Sequence, residues 1–140
     1  MGLNDNKISH ISLNTFNGLS NLKCLKLFVN QITSIEDFSF QNLNKLNHLF
    51  LGFNQLNTIN LNTFNGLINL IELDMRSNVI NIIEYQSFQV LKRLKILDLR
   101  SSINLLEIDL NGLQHIGTII LSKTLKEKIK KKDFSNIYFI

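Results

Sequence analysis

Residues 46–69 read LNHLFLGFNQLNTINLNTFNGLIN. Leu46, Leu49 and Leu51 follow an LxxLxL pattern, whose last part alternates apolar and free positions, the period-two signature of a strand with one buried face. From Asn54 to Phe64 that period is lost, as in a turn followed by a looser return. The same pattern recurs on both sides. Leu22, Leu25, Leu27, Asn30, Ile32, Ile35, Phe40 and Leu43 precede it, and Leu70, Leu73, Met75, Asn78, Ile80, Ile83, Phe88 and Leu91 follow. Phe16, Phe40, Phe64 and Phe88 form one column of period 24, and Asn6, Asn30, Asn54 and Asn78 form another. A self-repeat of this length predicts a stacked solenoid.

A strand and a return this short cannot close a core alone. Parallel strands stacked at about 4.8 Å share one, with Leu, Ile and Phe columns inside. The asparagine column has a specific task there. A buried Asn offers two N–H donors and a carbonyl acceptor, enough to satisfy backbone groups of its own and the adjacent turn. Background abundance does not explain the column, although Asn occurs 20 times, because four of them fall at the register that ends LxxLxL. The phenylalanine column fills the far side of the core.

These columns carry a resemblance to leucine-rich repeat proteins, over about residues 3–121. The F-x-x-L ending at 24-residue spacing resembles the "typical" class common in animal extracellular and receptor proteins. Thr15-Phe16-Asn17-Gly18-Leu19 and Thr63-Phe64-Asn65-Gly66-Leu67 are similar to that class's F-x-G-L segment. The resemblance implies an α/β solenoid: a horseshoe with a concave parallel β-sheet and an irregular or short-helical convex side.

Three departures stand out. The first repeat begins at Leu3, at the last Leu of an LxxLxL row. Cysteine-rich flanking caps are missing, and Ser12, Glu36, Asn60 and Glu84 stand where the family often has Pro. The first two lead to the expectation of a piece of a longer protein or a shortened gene model. Towards the C-terminus the period changes. Leu94, Leu97 and Leu99 keep the strand, but Ser102 replaces the ladder Asn, and Leu110 arrives two places early in the phenylalanine column. Residues 116–121 read as a last strand. The organisation expected is a solenoid over 1–121 with about five strands, then a basic helix or tail over 122–140. There Leu125 and Ile129, with Phe134, Ile137 and Phe139, form a candidate cap.

At 140 residues, 44% of them hydrophobic, the chain has the length of one domain and enough apolar content if the repeats pool it. Residues 1–122 carry nine basic and nine acidic side chains, so the +4 net charge comes from the stretch 123–140, where six Lys stand against Glu127 and Asp133. The pI of about 9.3 therefore does not mark a nucleic-acid-binding surface, and nucleic acid is an unlikely partner. The start, MGLNDNKISH, lacks a signal-peptide core, and the longest uncharged run, 46–71, is too rich in Asn for a transmembrane helix. Cys24 has no disulfide partner, and no Asn begins a glycosylation sequon.

Strand side chains two apart share a face, so the free positions form a grid on the concave side. Its rows are Cys24-Lys26-Phe28, His48-Phe50-Gly52, Glu72-Asp74-Arg76 and Ile96-Asp98-Arg100. Lys26, Phe28 and Phe50 make a cationic and aromatic patch, joined by Phe53 and Val29. Glu72, Asp74 and Asp98 make an acidic block flanked by Arg76 and Arg100. Aromatics and arginines dominate binding energy at protein interfaces, so these positions are the partner-binding candidates. In the alternative, the Phe side chains cover their neighbours and the Asp–Arg rows neutralise each other in solvent. His10, His48 and His115 fall at unmatched registers and form no metal set, Cys24 has no partner for catalysis, and no cofactor motif is present.

The function expected is protein–protein recognition without catalysis. The resemblance implies a receptor, adhesion or secreted matrix-type protein, extracellular or at the cell surface. The rival is a cytoplasmic scaffold or regulator using the same face, in line with the missing signal, sequons and disulfides. A non-catalytic part of an enzyme-linked repeat protein is more distant.

Overall fold

In chain order the strands are β1 (His10–Ile11), β2 (Cys24–Lys26), β3 (Ser34–Ile35), β4 (His48–Phe50), β5 (Thr58–Ile59), β6 (Glu72–Asp74), β7 (Ile82–Ile83), β8 (Ile96–Asp98), β9 (Thr118–Leu121) and β10 (Ile137–Phe139). The computed structural model describes residues 1–102, 113, 116–123 and 137–139. The LxxLxL rows become one parallel sheet in the order β10-β9-β8-β6-β4-β2. Its register follows the repeat, with Leu25 opposite Leu49, Leu49 opposite Leu73, and Leu73 opposite Leu97. Leu97 then faces Ile119, so the shortened last turn keeps the strands aligned. At the other edge Gly2 bridges to Lys26, and the Leu3 N–H donates to the Lys26 carbonyl at 2.8 Å.

The sheet has a sixth member beyond the five rows read from the sequence. Ile137–Phe139 lies parallel to β9, with Tyr138 opposite Ile120, so this end of the chain extends the sheet as a strand. Leu110, His115, Leu125, Ile129 and Phe134, with the helix expected around them, lie outside the described residues.

The inward face is closed by Leu25, Leu49, Leu73, Leu97 and Ile119, all fully buried, and on the far side by the phenylalanine column. Burying one such side chain contributes about 1.5–3 kcal/mol, available only because the turns share the core. Of the two forms expected for the convex side, irregular or short-helical, the structure takes the irregular one. Among the described residues it contains tight turns and very short strands, and no α-helix. A helix is about 10 Å across and would splay turns stacked at about 4.8 Å. Return segments at strand spacing pair with each other instead.

That pairing follows a second alternation, two turns long, beneath the single-turn repeat. Turns one and three share LNTFNGL (13–19 and 61–67), whereas turns two and four share Glu, Ser, Phe and Gln at 36/84, 39/87, 40/88 and 41/89. Glu36 Oε2 accepts the Leu13 N–H at 2.8 Å, and Glu84 Oε2 accepts the Leu61 N–H at 2.7 Å. The hydroxyls of Ser39 and Ser87 donate back to the carbonyls of Ile11 and Ile59. β1 pairs with β3 and β5 with β7, and the ring stacks are Phe16–Phe40 at 5.6 Å and Phe64–Phe88 at 5.9 Å. On the convex side each second turn is thus fastened to the first of its pair. Between pairs, Gly66 at φ +94° lies against the carbonyls of Phe40 and Gln41, where a Cβ would stand 2.6 Å from either oxygen.

The asparagine column does what its donors and acceptors allow. Asn54 Oδ1 accepts the Ile32 N–H, and its Nδ2 donates to the carbonyls of Leu27 and Leu51, each at 3.0 Å. Asn78 repeats the set with Leu56, Leu51 and Met75, and Asn30 with Ile8, Leu3 and Leu27. Asn6 differs. It is exposed and donates only within its own turn, to Leu3 and Asn4. Ser102 is buried in the ladder register, but its hydroxyl is too short to bridge turns and has no hydrogen-bond partner among the described residues.

Candidate functional site

The concave sheet carries three columns of outward side chains. His48, Glu72 and Ile96 start the strands, Lys26, Phe50, Asp74, Asp98 and Ile120 follow, and Phe28, Gly52, Arg76 and Arg100 lie just beyond. All of these but His48 and Gly52 border an open hollow of about 450 Å³. Eight of the nine residues singled out in the sequence line it; the ninth, Phe53, is outside the lining and meets it through Arg76. Ile96 and Ile120 line it as well. Both occupy free positions of their strands, so the alternation contained the signal.

At the aromatic end Phe28 and Phe50 are half-buried, while Val29 and Phe53 are exposed, Phe53 by 50%. His48 stacks on Phe50, with ring centroids 6.4 Å apart and planes within 5°. Phe53 stands in the left-handed region at φ 55°. So do Asp5, Val29, Ser77 and Ser101, one per turn before each ladder position. Asp and Asn are enriched in this conformation, whereas Phe and the β-branched Val are uncommon there.

The charged rows are ordered inside the hollow. Asp74 and Asp98 face each other across adjacent strands and are only 8% and 6% exposed. Each aspartate lies against the arginine two residues on, and both aspartates are buried rather than in solvent. Arg100 Nε donates to Asp98 Oδ1 at 3.0 Å and its Nη2 to Oδ2 at 2.6 Å. Those bonds raise the Arg100 pKa further. Asp74 Oδ1 accepts the Arg76 backbone N–H at 3.0 Å, and its Oδ2 lies 3.2 Å from Arg76 Nε. Burial nevertheless raises the Asp74 pKa above the ordinary carboxylate value, with the neighbouring Asp98 adding to it and Arg76 opposing.

Gly52 makes this arrangement possible, and the sequence offered no sign of it beyond an empty place in the grid. A Cβ there would stand 3.2 Å from both Arg76 Cγ and Asp74 Oδ1. The missing side chain lets Arg76 lie across the strand, with its guanidinium carbon 5.5 Å from the Phe53 ring centre.

The sequence matches the family described as leucine rich repeat in three overlapping windows, residues 1–56, 25–80 and 49–106. The chain belongs to the leucine-rich repeat family. Its fold is similar to a chain in a structure of the Toll–Spatzle complex, a molecular hub in Drosophila development and innate immunity. The TM-score is 0.73 at 22% identity, over 98% of this chain and 21% of that one. This leucine-rich repeat chain therefore spans about a fifth of the solved chain it resembles. No curated protein matches the sequence. Among the described residues, no group of three His, Cys, Asp or Glu is placed to hold a metal ion. Nor is any helix there long and apolar enough to cross a membrane.

Proposed function

We propose that this leucine-rich repeat chain is a non-catalytic protein-recognition module that binds its partner at the aromatic end of its concave face. One observation carries the reading: Phe28, Val29, Phe50 and Phe53 form a partly exposed apolar cluster on adjacent turns of a hydrogen-bonded sheet. Scattered exposed apolar residues are ordinary, but a contiguous aromatic group on a rigid surface is the usual composition of a binding hot spot.

The repeat class that the sequence resembles favours a receptor, adhesion or secreted protein at the cell surface. The similar solved chain belongs to a complex of Toll with Spatzle, which is in keeping with a protein partner. Cys24, a free thiol on the concave face, favours a second reading, a cytoplasmic scaffold or regulator using the same surface.

With a partner isolated by cross-linking, titration onto Phe50→Ala should show a loss of about 2 kcal/mol or more. Tyr85→Ala, on the exposed convex side, should bind as the parent does. Undiminished affinity in folded Phe50→Ala would move the binding site elsewhere.

A further inference from the structure

The two arginines of the face differ in what they leave free. Three hydrogen bonds hold the Arg100 guanidinium on Asp98, and its side chain is 32% exposed. Arg76 is 42% exposed; its Nε lies 3.2 Å from Asp74 Oδ2, an ion pair on one edge, but among the described residues its guanidinium makes no hydrogen bond, which leaves its terminal nitrogens open. Its chain lies flat over Gly52, which turns the guanidinium towards the Phe53 ring instead of wrapping it around Asp74. A guanidinium resting on an aromatic face is weakly hydrated and fixed in direction, while its planar fork keeps the geometry that grips a carboxylate with two parallel bonds.

Phe53 strengthens the case. Its ring is half exposed, so core packing does not explain an aromatic in a left-handed position where the other turns carry Asp5, Val29, Ser77 and Ser101. Such outliers concentrate at functional surfaces. The hollow as a whole is balanced, Lys26, Arg76 and Arg100 standing against Glu72, Asp74 and Asp98, so the pull on an acidic group is local to the Arg76 guanidinium.

We infer that Arg76, backed by Phe53, receives an acidic side chain of the protein partner, whose flanking apolar side chains cover Phe50, Phe28 and Val29. This rests on the concave-face reading above and adds the partner's chemistry to it. The partner segment is an Asp or Glu set among aromatic or aliphatic residues.

The probe is a displayed library of random short peptides, fused at their C-termini so that only side chains supply carboxylates. It is selected on the intact chain, and the enriched peptides are titrated onto the parent, Arg76→Gln, Phe50→Ala and Tyr85→Ala, each first checked by thermal melting. Enriched sequences should place Asp or Glu beside apolar residues. Arg76→Gln should weaken them about tenfold or more, as truncating one partner of a desolvated charge pair does. Changing the peptide's acid to its amide should cost as much, with little further loss in combination. Binding that needs Phe50 but is indifferent to Arg76 and to the peptide's acid would overturn this inference and leave the concave-face reading standing. Binding indifferent to both Phe50 and Arg76, or no enrichment at all, would overturn both.

Discussion

The side-chain oxygen of Asn54 accepts the backbone N–H of Ile32, one turn back, at 3.0 Å, while its amide reaches the carbonyls of Leu27 and Leu51. Asn54→Ala strands buried backbone groups in two turns at once and should destabilise by about 1–3 kcal/mol. Asn57→Ala, at an exposed position outside the ladder, should change little. Chemical denaturation of the pair checks this, and two neutral variants would show that the ladder contributes nothing to stability.

The same geometry predicts a gain at Ser102. Among the described residues its buried hydroxyl has no partner, and the Ile80 N–H, which a ladder Asn would engage, has no acceptor. Ser102→Asn should add about 0.5–1.5 kcal/mol, seen as a higher denaturation midpoint at unchanged slope. A lower midpoint would mean that the shortened turn has no room for the amide.

Phe64 is fully buried and stacks on Phe88 within the stack, whereas Phe16 lies in the first turn. Phe64→Ala should cost about 3–5 kcal/mol, and Phe16→Ala clearly less. Equal losses would contradict a one-dimensional stack in which each turn leans on both neighbours.

Gly18 and Gly66 occupy equivalent positions and both have positive φ, but only at Gly66 would a Cβ meet backbone. Gly18→Ala should cost about 1–2 kcal/mol, from conformation alone. Gly66→Ala should cost about 1–3 kcal/mol more, because the carbonyls of Phe40 and Gln41 cannot swing aside as a side chain would. Similar melting temperatures for the two variants would refute the close approach between turn pairs.

Two carboxylates should give pH dependences of opposite sign. The Leu13 N–H holds the Glu36 pKa below its ordinary value, so Glu36 stabilises the fold above its unfolded pKa and loses that effect as pH falls through its folded one. Glu36→Gln should therefore be weaker than the parent at pH near 7, the gap closing under acid. Burial raises the Asp74 pKa, so its ionisation opposes folding, and the penalty is complete only above the folded pKa. The stability of Asp74→Asn relative to the parent should rise as pH increases from about 3 to 7. Denaturation series across that range would expose a wrong sign in either case.

The columns visible in the sequence were those that repeat with one residue type. Leu49, Asn54 and Phe64 recur once per turn because each faces the shared core, so the strands, ladder and spine could be read without coordinates. The pairing of turns was hidden because Phe40 and Phe64 look alike in the column. The difference lies in Glu36 and Ser39, whose targets are backbone groups one turn away. The site divided in the same way. Alternation placed Phe50 and Asp98 on the concave face, but the burial of Asp98 depends on Arg100 folding over it. The seat of Arg76 depends on the side chain that Gly52 lacks.

The most direct test of recognition through the aromatic end of the concave face is amide hydrogen exchange, with and without bound partner. Protection should appear around residues 26–29, 50–53 and 74–77 and leave the convex segments 36–42 and 84–90 unchanged. Protection confined to those convex segments, or to residues 123–140, would contradict it.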